Sequence, residues 1–153
     1  MDDNFENYKI LVVTDGFPDA DMVLMYAIGL AKDLGSKMDV IHVQTRDETG
    51  EEASNVLKAA IQPVKNSLIK DVNEILSQGD HGDVIVKTAN DLKPDVIVMS
   101  RRGLSQITSL VSGSISYRVV QNSTRPVLIE KKRGGDLVAD VNFTNSINSK
   151  FLD

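Results

Sequence analysis

The sequence predicts a single-domain α/β protein built on a five-stranded, doubly wound parallel sheet. Short apolar, β-branched runs alternate with longer stretches in which apolar residues recur every three or four positions. The ILVV part of the first run and the VIVM run are apolar throughout, as strands covered on both faces are. At 153 residues with 41% hydrophobic residues, the chain suits one domain with a sizeable core. Right-handed crossovers between parallel strands then place helices on both faces of the sheet.

Residues 8 to 13, YKILVV, read as the first strand, stopping at Thr14-Asp15-Gly16. Asp19, after Pro18, can cap a helix in which Ala20, Val23, Leu24, Ala27, Leu30, Ala31 and Leu34 share a face, ending at Gly35. Residues 38 to 43, MDVIHV, form a second strand. A polar loop through Gly50 leads to a helix from about Glu52 to Leu68, in which Pro63 is expected to introduce a kink.

A third strand over Val72 to Ser77 is interrupted by Asn73 and Glu74, which places it near an edge, and it ends in Gly79-Asp80. Val84, Ile85, Thr88 and Leu92 mark a third helix that must stop near Pro94. The fourth strand is VIVM, residues 96 to 99, and a loop follows from Ser100 to Ser112. A helix begins near Gly113-Ser114, and Pro126 precedes the last strand, VLIE, residues 127 to 130.

The domain is read as residues 1–132, and 133–153 as a tail of different character, glycine-started and asparagine-rich. It is either a mobile terminus or an arm packing on a partner subunit, with alternating Val141 and Phe143 suited to an added strand.

Composition removes several functional classes. The chain has no cysteine, which excludes disulfides, thiolate zinc sites and cysteine nucleophiles. His42 and His81 are the only histidines, and His42, inside an apolar strand, reads as packing. Methionines 22 and 25 with Tyr26 read as core or core-edge. A net charge of -5 disfavours nonspecific nucleic-acid binding, which neutralises phosphates with basic residues. The acidic start MDDNFENYK lacks the basic and apolar regions of a secretory signal, and no apolar run reaches the roughly 20 residues of a membrane span. A cytoplasmic, soluble protein is expected.

Chemistry concentrates in Ser100-Arg101-Arg102-Gly103, followed nine residues later by Gly113-Ser114. This stretch lies between a buried strand and a helix start. Unpaired amides at a helix N-terminus and the helix dipole favour an anion there, and glycine admits a phosphate close to the backbone. Ser114 adds a hydroxyl donor, and one of the adjacent Arg101 and Arg102 can reach a phosphate.

Strand VIVM, the glycine-spaced loop, the Gly-Ser-Ile-Ser helix start and Arg-Pro-Val-Leu-Ile together resemble the universal stress protein family, whose domain is UspA-like, over residues 8 to about 131. The resemblance implies the adenine nucleotide alpha hydrolase-like fold with strand order 3-2-1-4-5. ATP-binding members carry Gly-x2-Gly-x9-Gly-Ser/Thr. Gly103, Gly113 and Ser114 match its last three fixed positions, and Ser100 replaces the first glycine. The family's aspartate after strand one falls on Asp15, following Val13, and its valine beside the adenine falls on Val43. Gly79 matches the family's glycine after strand three, and Ile115 and Ser116 continue the phosphate-binding helix. Serine in place of glycine weakens binding if the backbone is left-handed there, or blocks it if the side chain enters the phosphate path.

The cofactor so implied is ATP, ADP or AMP, with Mg2+ as a possible companion. The implied partner is a second copy of the chain, pairing through Val127, Leu128 and Ile129 of the last strand, an edge that invites strand addition. No general base can be named and no Walker-type, dinucleotide-type or hydrolase-elbow motif is present, so the chain is read as a binding module, with slow ATP hydrolysis the most that the resemblance permits. The alternative is a nucleotide-independent dimeric interaction protein of the same fold. A phosphoacceptor receiver would need clustered carboxylates, and only Asp15 stands after the first strand.

Overall fold

The computed structural model describes residues 7–15, 18–100 and 115–130, with the backbone alone at 18–21. Arg101, Arg102, Gly103, Gly113, Ser114 and the tail from 133 lie outside the described residues.

The strands are β1 (Lys9–Thr14), β2 (Lys37–Gln44), β3 (Val72–Gln78), β4 (Val96–Ser100) and β5 (Val127–Glu130). They form one parallel sheet in the order β3-β2-β1-β4-β5. The described helices are α1 (Pro18–Leu34), α2 (Gly50–Asn66), α3 (His81–Leu92) and α4 (Ile115–Asn122). The expected doubly wound architecture and strand order are therefore present.

Strand alternation sorts the core into two layers. Ile10 and Val12 of β1, Met38 and Val40 of β2, and Val96 and Val98 of β4 meet Val23, Leu24 and Ala27 of α1 and Leu57, Ile61 and Val64 of α2. The intervening residues Leu11, Ile41, Val43, Ile97 and Met99 turn to the other face, against Ile85 and Ala89 of α3 and Val119 of α4. Because β1 and β4 serve both layers, they are apolar without interruption over Ile10–Val13 and Val96–Met99, whereas β3 has one neighbour strand and a largely polar sequence. The polar interruption in β3 has definite partners. The Asn73 amide donates to Asp39 at 2.8 Å, and Glu74 lies 3.7 Å from Lys65 of α2.

Helix boundaries follow local chemistry. Helix α1 already includes Pro18, so Asp19 falls within the helix and not at its cap. It stops at Gly35, whose φ of +62 is a left-handed conformation that glycine adopts without strain. Helix α2 starts two residues before Glu52, because Thr49 and Glu52 form a capping box: the Glu52 amide donates to Thr49 Oγ1 at 3.2 Å, and the Thr49 amide to Glu52 at 2.7 Å. It runs through Pro63 to Asn66. Helix α3 starts before its first apolar residue because the Asp80 carboxylate caps it, accepting from the Asp83 amide at 3.1 Å.

Candidate functional site

In a parallel sheet all strands end at one pole, and there the register brings the expected site residues together. Thr14 pairs with His42, so the next residues, Asp15 and Val43, stand at one level. Val12 pairs with Val98, which sets Ser100, two residues on, level with Thr14. Asp15, Val43 and Ser100 thus converge on β1, the strand about which the chain order reverses, where open α/β sheets bind ligands.

Each residue has a defined setting. Val13 is half-buried against the second core layer, and Val43 is 2% exposed within it, so the Val43 side chain shapes the floor while its backbone faces the strand ends. Strand β2 outruns β1: Val43 and Gln44 continue to pair with β3, but the β1 ladder has ended at Thr14. A cleft of about 550 Å³ opens at the ends of β2 and β3, lined by Gln44, Thr45, Arg46, Gln78, Gly79, Asp80 and His81.

Ser100 belongs to β4 and pairs with Glu130 of β5. Lys93 is the sole non-glycine residue of positive φ among the described residues, so Ser100 bears no left-handed strain in place of glycine. Ser116 is fully buried, and its hydroxyl donates to the Ser100 carbonyl at 3.0 Å. It fastens the first turn of α4 over the end of β4, while neighbouring Ile115 packs on the second core layer.

Two polar arrangements here were not foreseen from the sequence. His42 is buried, but it is not simply packing: Nδ1 lies 2.9 Å from the Thr14 carbonyl and Nε2 lies 3.0 Å from Glu48. The Glu48 carboxylate also accepts from the Thr45 amide at 3.0 Å, and its carbonyl from the Gln44 side chain at 2.9 Å, so the β2–α2 loop is folded around it. Burial alone would raise the Glu48 pKa, but the Thr45 amide and the His42 ring outweigh it and hold the carboxyl below its ordinary range.

The second arrangement is Arg118 of α4, which reaches Asp80 at 2.8 Å and Asp83 at 2.6 Å, tying α4 to the N-terminus of α3. The Asp83 amide, followed by the Arg118 charge and hydrogen bond, lowers the Asp80 pKa. A carboxyl whose pKa is depressed on folding contributes stability that is present above its unfolded pKa and is lost as pH falls through the folded one. Stability to urea is therefore expected to decline on acidification below about pH 4, and Asp80→Asn, which keeps a cap acceptor but not the charge, should make that decline shallower. An identical acid dependence in the variant would remove Asp80 from the account.

Among the described residues, no group of three or more His, Asp or Glu side chains could hold a metal ion, and no helix is long and apolar enough to cross a membrane. A model of the universal stress protein family matches residues 6–131. The chain belongs to the universal stress protein family. Its relatives include the universal stress protein YxiE of Bacillus subtilis, 26% identical over 144 residues, with 79% of this chain and 97% of YxiE covered. Among solved structures, a universal stress protein in complex with cAMP superposes with a TM-score of 0.72 at 24% identity, covering 82% of this chain and 97% of its own. The universal stress protein of Archaeoglobus fulgidus in complex with dAMP superposes with a TM-score of 0.64 at 23% identity, covering 80% and 96%. At these identities the two structures establish the shared fold.

Proposed function

We propose that this universal stress protein is a regulatory module of the stress response that binds an adenine nucleotide at the carboxyl pole of its sheet. The observation that carries the reading is the convergence of Asp15, Val43 and Ser100 within one residue of a common level, beneath a helix start fastened by Ser116. Asp15 offers a carboxylate acceptor for a ribose hydroxyl, and the Val43 backbone offers an edge for the base. Gly103, Gly113 and Ser114 have the spacing to cradle phosphates, with Arg101 or Arg102 supplying charge that the chain as a whole lacks. Two neighbours of the same fold hold cAMP and dAMP, which supports an adenine ligand.

The ligand on this reading is ATP, ADP or AMP. Mg2+, if it accompanies ATP, would be held chiefly by the phosphates, in keeping with the lack of a carboxylate cluster among the described residues. The module acts in the cytoplasm as a homodimer joined through Val127, Leu128 and Ile129 of the edge strand β5. Its role is binding and not turnover.

The test is to denature the purified protein, identify any released nucleotide, and titrate the stripped protein with ATP, ADP and AMP by calorimetry. Saturable binding that weakens in Gly113→Val is expected. An absence of binding at millimolar nucleotide would leave a nucleotide-independent interaction protein. Light scattering on the same sample should give twice the chain mass, and a monomer mass at micromolar concentration would remove the dimer.

A further inference from the structure

We propose that His42 is a positioning residue of the site, holding the end of β1 and the loop after β2 against each other through Thr14 and Glu48. Its effect on ligand affinity rests on the nucleotide reading above; its effect on these two segments does not.

The hydrogen bonds define what the ring must do. The Thr14 carbonyl can only accept, so Nδ1 at 2.9 Å carries a proton. The two Glu48 oxygens lie 3.0 and 3.3 Å from Nε2, and one of them already accepts from the Thr45 amide. Both nitrogens are thus engaged, and the ring links the end of β1 to the loop after β2. The ring is 1% exposed, so neither link can be exchanged for bulk water without opening the fold.

The position of this bridge sets its role. The β1–β2 ladder ends at the Thr14–His42 pair, and beyond it no β1 residue pairs with Val43. The His42 side chain takes over where the backbone ladder stops. Thr14 immediately precedes Asp15, and His42 immediately precedes Val43, so one imidazole fixes the relative level of both candidate ligand-binding residues. Glu48 carries the constraint onward into Thr45, a wall of the cleft at the ends of β2 and β3.

Asparagine places its amide nitrogen near Nδ1 and glutamine near Nε2, so His42→Asn retains the Thr14 link alone and His42→Gln the Glu48 link alone. Each folded variant is expected to bind ATP about tenfold more weakly, and His42→Leu about a hundredfold, since each lost bond frees one of the two groups that the ring holds, the Thr14 carbonyl or the Glu48 carboxylate. Glu48→Gln, which can still hydrogen-bond to Nε2, should restore most of the affinity lost in Glu48→Ala, a rescue that mere loop composition would not produce.

Amide hydrogen exchange without nucleotide provides the independent reading. Exchange should quicken at Asp15 in His42→Gln and at Thr45 in His42→Asn. Unchanged exchange at both positions in all three His42 variants would overturn the proposal, as would folded His42→Leu binding ATP as tightly as the parent. If the parent itself binds no ATP, the nucleotide reading alone fails, and the exchange rates still decide whether His42 holds the two segments.

Discussion

Leu11→Ala is expected to cost about 3 to 4 kcal/mol of folding stability, read from the urea midpoint at unchanged slope. Leu11 is fully buried on β1, the middle strand, with neighbours β2 and β4 on either side and α3 and α4 across its face. Truncation there leaves a cavity walled by sheet, and sheets collapse poorly onto a missing side chain. Leu68→Ala is the matched control: Leu68 is 88% exposed, and its removal should change stability by no more than about 0.5 kcal/mol. A cost below about 1 kcal/mol at Leu11 would mean that the layer between the sheet and α3–α4 is looser than its burial indicates.

Gly79→Val is expected to destabilise by about 3 kcal/mol, for two reasons that act together. Gly79 has a φ of +134, a region that residues bearing a side chain rarely enter. A Cβ there would also stand 3.1 Å from Cγ2 of Val84, which is held against the second core layer. Gly79→Ala should show most of the backbone cost, and the difference between the two variants measures the added steric part. Gly29→Ala is the contrasting case, a helical glycine with nothing within 4 Å, and should stabilise by about 0.5 to 1 kcal/mol. Equal effects at positions 29 and 79 would show that backbone conformation does not govern the Gly79 turn.

Gly79 also shows how far the sequence could be read. Its place after a strand and before Asp80 marked a turn, yet its φ of +134 and the nearness of Val84 to where a Cβ would stand are features of the folded backbone that the residue types alone do not specify. The central place of β1 and β4 was legible because unbroken apolar runs such as ILVV and VIVM have no stable place except buried on both faces, whereas the full strand order followed from the family resemblance. The weaker third strand was legible as an edge for the opposite reason, and its Asn73 proved to serve Asp39 on the neighbouring strand. Helix starts were misplaced by two or three residues because apolar periodicity reports the buried face, whereas Thr49 and Asp80 set the boundaries through capping bonds.

The site was legible in part. Asp15 and Val43 were named from the family resemblance and Ser100 from the glycine-spaced motif, and register brings the three to one pole of the sheet. His42 was misread because its sequence neighbours are apolar, while its partners come from 28 residues before it and 6 after it. Burial and polarity together were the available clue: a histidine inside a buried strand must find hydrogen-bond partners for both nitrogens.

The two borders of the sheet are unequal. On β3 the sequence places Asn73 and Glu74, engaged with Asp39 and Lys65, which makes that border a poor template for another chain's backbone. On β5 the sequence is Val127-Leu128-Ile129-Glu130, four residues long. Growth of a continuous intermolecular ribbon requires two receptive borders per molecule, one to accept and one to offer. In the dimer proposed above, each chain joins through β5, the more apolar border of the described sheet, and that border is then used up, an arrangement that suits a closed pair related by a twofold axis and not a fibre.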